Sequence, residues 1–261
     1  MPIRYAKWMS NILQGDFGYS TFYKQDVIKV VKDPLKYTVF INIFSTVLAL
    51  GITIPLGIYC AVKKNSIFDK VVQVATIVGY STPAFILGLV LIFLLAVKLD
   101  VFPVSGMGTP NFQGTTIEVL FDRLYYLSLP LLVMTLSSLG GMTRYVRAAM
   151  IEALSMDYIR TARAKGLKEK VVVYSHAWRN ALLPVITLII GWFLTIFGGS
   201  VIIENMFSLN GMGKVYFQAL TSQDYELAMG VQLFFVIIGL AGNLIIDLSY
   251  GIVDPRVRIN K

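Results

Sequence analysis

Five stretches of this 261-residue chain are long and apolar enough to cross a bilayer, a crossing that takes roughly 20 residues at about 1.5 Å rise each. They run approximately from Thr38 to Val62, Val71 to Val97, Leu124 to Val146, Leu182 to Ile203 and Ala228 to Val253. No soluble core absorbs five such runs. A helix satisfies its own backbone in lipid, so the expected fold is all-α, a polytopic membrane protein with about five transmembrane helices. The hydrophobic content of 56% and the mean hydropathy of +0.68 lie well above globular usage and agree with this.

The formal charge of +8 raises nucleic acid as a partner, but the distribution of the basic residues follows topology instead. Lys63 to Lys70, Arg144 to Asn180 and Asp254 to Lys261 carry 14 basic residues in 53 positions, against 9 in 86 for Met1 to Tyr37, Lys98 to Arg123 and Asn205 to Leu227. The bias of Lys and Arg toward cytoplasmic loops puts the first group, including the C-terminus, in the cytoplasm. Four regions follow. Residues 1–37 form an external segment, 38–253 the transmembrane domain, 147–181 a cytoplasmic segment within it, and 254–261 a cytoplasmic tail. In the external segment Tyr5, Trp8, Met9, Ile12 and Leu13 fall at helical spacing before Gly15-Asp16, which predicts a short helix lying at the interface. No long apolar run follows the first charges, so this start reads as neither a signal peptide nor a span.

Chemistry-bearing residues within the spans are sparse. Asn42, Gln73, Gln232, Asn243 and Asp247, with Glu204 at an outer end, make no series of carboxylates of the kind an ion relay needs. Asp247 is expected to play a structural part near Arg256. Cys60 is the sole cysteine and His176 the sole histidine, so disulfides within the chain and histidine or thiolate metal clusters are excluded. Pro55 and Pro83 permit kinks in the first two spans. Gly191, Gly198, Gly199, Gly239 and Gly242 suit close helix packing.

The segment between Val146 and Pro184 is too long for a turn and too amphipathic for a linker. Ser155 is expected to cap a helix of about ten residues, with Asp157 in its first turn, Arg163 and Lys165 in its last and Gly166 as its stop. A second amphipathic stretch places Val171, Tyr174, Trp178 and Leu182 on one face before Pro184 opens the next span. Composition alone also allows such a pair simply to rest on anionic lipid.

The run from Asp157 through Arg160-Thr161-Ala162-Arg163-Ala164-Lys165-Gly166-Leu167, followed by His176 to Pro184, resembles the ATPase-coupling motif of bacterial binding-protein-dependent ABC importers. It looks most like the dipeptide, oligopeptide and nickel branch. Arg160-Thr161-Ala162 stands where the wider superfamily has Glu-Ala-Ala, and the interval from Gly166 to Pro184 is longer than the general pattern. Further stretches resemble the first of the paired permeases in that branch: Leu13 to Ser20, Pro55 to Gly57, Ser81 to Phe85, Phe102 to Gly106, and Asn243 to Asp247 through Asp254-Pro255-Arg256. Members usually open with one more span, which a chain starting its external segment almost at Met1 lacks; a shortened product or a natural five-span variant is expected.

The resemblance implies a type I ABC importer permease fold in the bacterial cell membrane. It implies a heterodimer with a second homologous permease, two cytoplasmic ATPases that bind ATP and Mg, an external solute-binding protein, and a coupling surface of Ser155, Asp157, Arg160, Thr161, Ala162, Arg163, Ala164, Lys165, Gly166 and Leu167. The expected cargo is peptide, with nickel or another small solute as the alternative. This chain has no phosphate loop of its own, since Gly211-Met-Gly213-Lys214 lacks the spacing and the hydroxyl, and no cofactor is expected in it. A channel or ion-coupled transporter would want a polar relay or inverted repeat, and neither is visible. A membrane tether makes the basic helix pair a poor DNA reader.

Overall fold

The computed structural model describes residues 2–253. The expected tail, with its Asp254-Pro255-Arg256 signature and the Arg256 partner for Asp247, lies outside the described residues. Helix α1 (Pro2–Leu13) ends at Gly15, whose φ of +84° takes the chain into a small antiparallel hairpin, β1 (Tyr19–Ser20) with β2 (Gln25–Asp26). Everything else regular is helical.

Helix α2 (Val27–Val62) begins well before Thr38 and passes through both Pro34 and Pro55. The expected second span is not one helix. Its first part, α3 (Ile67–Ser81), meets α4 (Ala84–Leu91), which continues in π-wound turns to Lys98, at a bend of 104°. Proline dictates the break: Pro83 pushes the preceding Thr82 to an extended ψ of 122° and brings no N–H of its own. Helix α5 (Thr116–Ser155) starts in a reciprocal cap between Thr115 and Glu118 and runs 40 residues, about 60 Å, so it projects beyond a hydrocarbon layer of about 30 Å.

After the short α6 (Asp157–Ala164), the chain re-enters through α7 (Glu169–Val171), π-wound turns at 172–178 and α8 (Arg179–Thr195). The fourth expected span therefore also differs, stopping at Thr195 and resuming only at α9 (Val201–Met206). Helix α10 (Met212–Thr221) and the long α11 (Tyr225–Val253) complete the described chain. By length and apolarity three helices qualify as spans, α2, α5 and most of α11, and the bent pair makes up to four.

Three apolar cores order the bundle along its length. At one end Val27, Val30, Met212, Val215, Leu227 and Val231 pack together; farther along Ile41, Leu129, Val133, Ile203 and Phe207 do so; at the other end Ile58, Met142, Val146, Met150, Ile159, Val172 and Ala177 form the last. The loops at 63–66 and 156–168 share this last end, called here the basic end. Helices α2 and α5 run parallel and very close, since a Cβ on Gly57 would lie 2.8 Å from Val146. Asp69 of α3 takes two parallel hydrogen bonds from Arg147 of α5, at 2.6 and 2.7 Å, and a third from the Asn65 N–H at 2.9 Å. That fork ties the α2–α3 hairpin to α5 with the carboxylate almost wholly buried.

At the far end carboxylates perform the same service. Asp224 accepts from the Ser20 hydroxyl and the Phe22 N–H, and Glu226 from the Tyr19 N–H, so the hairpin is pinned to the start of α11. Glu204 is buried at the N-terminus of α10, accepting from Thr38 at 3.0 Å and the Lys214 N–H at 2.9 Å. Gly199 and Gly213 are where these backbones meet, a Cβ on Gly213 lying 2.6 Å from the Val201 nitrogen, and Gly211 makes room for the Glu204 carboxylate.

Candidate coupling surface

Helix α6 is held away from α5 by a single residue. Ser155 is still the last helical residue of α5, and its hydroxyl donates to the Glu152 carbonyl at 2.7 Å, so it does not cap α6 as expected. A hydroxyl caps only from a non-helical backbone, and here that backbone belongs to Met156, with ψ at 151° and no side chain able to accept. The helix is eight residues long rather than ten. Its far end is well made. Gly166 adopts φ +75°, its N–H bonds the Arg163 carbonyl at 2.9 Å, and the Leu167 N–H bonds that of Ala162 at 3.4 Å. This paired closure is the helix stop that a left-handed glycine allows.

One side of α6 is anchored. Ile159 and Ala162 are buried in the basic-end core with Met150 and Ala153 of α5 and with Val172, Val173 and Ala177 of the returning helix. The returning helix presents Val172, Val173, Ala177 and Ala181, not the expected Val171 and Tyr174, which are exposed. The π winding of 172–178 is the reason, because it shifts the inward face out of the 3.6-residue register on which the sequence reading relied.

The remaining coupling residues divide by environment. Asp157, Arg160, Thr161, Ala164, Lys165, Gly166 and Leu167 are exposed, and Asp157 and Arg160 lie 3.4 Å apart on the open side. Ser155 is exposed but turned back onto α5. Arg163 is exposed yet engaged, donating to both Glu169 oxygens at 3.1 and 2.6 Å and so bracing the Gly166 turn against the foot of the returning helix. This hydrogen bonding holds the Glu169 carboxyl below its ordinary range. Ala162 lies underneath, 5% exposed, so a bulky charge placed there disrupts packing before it reports on any docked partner. Arg144, the first residue of the basic stretch, stacks on Tyr80 at 5.1 Å and belongs to the α3–α5 contact instead. Beside α6 a cleft of about 290 Å³ opens between α5 and α8, lined by Glu152, Met156, Tyr158 and Asn180.

Asp69 and Arg147 were not singled out by the sequence reading, although Arg147 stood in the expected coupling segment. The available signal was Ser66-x-x-Asp69, a capping pattern in which the Ser66 hydroxyl accepts the Asp69 N–H at 3.2 Å. Nothing in the local sequence points from Asp69 to an arginine 78 positions away.

A basic, rigidly seated helix on a bundle of long apolar helices sets the stage for comparison with known proteins. Residues 53–259 match the family described as the binding-protein-dependent transport system inner membrane component. The chain belongs to that family. It is 40% identical over 98% of its length to the oligopeptide transport system permease protein AppB of Bacillus subtilis, covering 80% of that protein. It is 35% identical over 97% of its length to the inner membrane ABC transporter permease protein YejB of Escherichia coli O157:H7, covering 71% of it. The peptidoglycan transport system permease protein YejB of Agrobacterium fabrum is 36% identical over a similar span.

Among solved structures, an inward-facing MetNI methionine ABC transporter aligns with a TM-score of 0.60 at 17% identity, over 85% of this chain and 96% of that one. An amino acid ABC transporter crystallised with histidines aligns at 0.58 and 15% identity, over 93% and 96%. These two likenesses are of fold. The family member described here is therefore a polytopic all-α permease of the inner-membrane component class.

Proposed function

We propose that this permease carries peptides across the bacterial cell membrane as one half of a permease heterodimer. Two ATPases engage the basic end, ATP and Mg being bound by them and not by this chain, and an external solute-binding protein delivers cargo to the far end. The basic end then faces the cytoplasm, in keeping with the charge bias of its loops. The observation that carries the reading is the seating of α6: Ile159 and Ala162 bury it, while Arg160, Thr161, Ala164 and Lys165 stay open to solvent. The peptide cargo is supported by the relatives, whose printed names include oligopeptide and peptide permeases.

A helix buried on one side and open on the other can take a push from a cytoplasmic partner and pass it as a rigid element into α5 and α8. The test uses the exposed residues. Arg160→Glu with Lys165→Glu should leave the permease in the membrane and paired with its homologue, yet cut ATPase co-purification and peptide uptake at least tenfold. Undiminished ATPase recovery and uptake in that variant would sink the docking assignment.

A further inference from the structure

The break between α8 and α9 lies inside a segment otherwise apolar enough for the membrane, and it is served from another helix. Asn42 of α2 donates through Nδ2 to the Ile196 carbonyl at 2.8 Å and to the Gly198 carbonyl at 3.0 Å. Non-helical backbone at membrane depth survives only where protein buries it or where it borders a watery cavity. Here it borders a cleft of about 220 Å³ between α2, α5 and the break. Seven of the ten residues lining that cleft carry a hydroxyl or an amide and none is ionisable, which is a costly surface to turn toward lipid.

Three of the hydroxyls around the cleft already donate within their own helices. Ser137 donates to the Val133 carbonyl at 2.8 Å, Ser138 to that of Met134 at 2.9 Å, and Thr195 to that of Trp192 at 2.7 Å. The Ser200 hydroxyl receives the Ile203 N–H at 3.4 Å. Both amide hydrogens of Asn42 are committed to carbonyls, which leaves its Oδ1. The Ser45, Thr46 and Ser200 hydroxyls keep their protons for a ligand, so the lining can both donate and accept.

We propose that this cleft is the stretch of the translocation path carried by this subunit, and that its uncharged hydroxyls and the Asn42 Oδ1 hydrogen-bond the backbone amides and carbonyls of a peptide. The assignment rests on the peptide reading above for its ligand and on the broken helix and polar lining for its place. Asn42 acts as a positioning residue, holding the Ile196 and Gly198 carbonyls beyond the end of α8 at the cleft wall. A site without charge that meets the peptide backbone takes peptides of varied side chains.

Cysteine labelling tests this directly, because Cys60 is the sole cysteine and is fully buried. Thr46→Cys and Ser138→Cys place a thiol in the cleft, and Leu48→Cys places one on the exposed apolar side of α2. Each variant is assembled with its permease partner, ATPases and binding protein, checked for intact assembly, and treated with a membrane-impermeant trimethylammonium methanethiosulfonate. The cleft thiols should react at least tenfold faster than Leu48→Cys, and trialanine should slow them at least threefold. Cleft thiols no faster than Leu48→Cys would overturn the path assignment. Fast labelling that trialanine does not slow would overturn the peptide contact. Wild-type transporter that accumulates no peptide would instead overturn the peptide reading, a result distinct from either.

Discussion

Arg147→Met strips the buried Asp69 carboxylate of two of its three strongest donors. The fork it removes comprises two N–H···O bonds at 2.6 and 2.7 Å, leaving the Asn65 N–H at 2.9 Å. The Asp69 side chain is 2% exposed and Arg147 19%, so solvent cannot replace what is lost. A unit pair at about 4 Å attracts by about 4 kcal/mol at an effective dielectric near 20, and breaking buried pairs costs about 3–5 kcal/mol. We therefore expect Arg147→Met to destabilise the permease by about 3 kcal/mol. Asp69→Asn should cost less, about 2 kcal/mol, because a neutral amide still accepts from Asn65. The double variant should fall short of the sum by about 2 kcal/mol, since the second change removes a carboxylate already stranded. Thermal unfolding of the three purified variants against wild type gives the coupling. A coupling below about 0.5 kcal/mol would mean that the fork does not hold the α2–α3 hairpin to α5, and the reasoning from burial would fail.

Three further outcomes follow from contacts at the turns and breaks. Gly213→Ala should cost about 3 kcal/mol in thermal unfolding, because its Cβ would meet the Val201 nitrogen at 2.6 Å, whereas Gly239→Ala, with open space around it, should be neutral or slightly stabilising. The Arg163–Glu169 brace is half exposed and contributes less than about 1 kcal/mol. Because Glu169 is held below its ordinary range, that contribution is present above the unfolded value near about pH 4.3 and is lost as pH falls through the lower folded value. Unfolding of wild type and Glu169→Gln should thus differ at pH 7 and converge below about pH 4; a gap that widens in acid would refute the pairing. Asn42→Leu leaves the Ile196 and Gly198 carbonyls without their donor and should lower the solute moved per ATP hydrolysed, with Asn42→Gln recovering part of it; an unchanged ratio in Asn42→Leu would remove the positioning role.

The sequence made the class of fold and the short amphipathic helix that stops at Gly166 legible, because both depend on local composition. Runs of apolar residues and the Gly166 stop are written within a few positions of where they act. What it hid depends on partners far along the chain. The break at Pro83 was visible as a kink, but its 104° bend was not, since the angle is set by how α4 packs on α5 and α9. The halt of α8 at Thr195 was hidden among apolar residues that read as continuous span. Asn42, noted only as one of a few polar residues within the spans, satisfies carbonyls more than 150 positions away. Ser155 was misread because Ser before Asp looks like a cap, whereas α5 simply continues through it.

These hidden features meet in one mechanical arrangement. A force on α6 enters the basic-end core through Ile159 and Ala162, where α5 and the helix from Glu169 to Thr195 are packed against each other. Close-packed interiors transmit such a displacement with little loss. The returning helix delivers it to Thr195, where the chain breaks, the Gly198 N–H closes on the Thr195 carbonyl and Asn42 holds those of Ile196 and Gly198. Displacement at that point alters the cleft wall, while α9 stays fixed to α10 through Glu204, Gly211 and Gly213. If α6 takes the push proposed above, the gap between α8 and α9 lies between a driven end and an anchored one, and the cleft borders that gap.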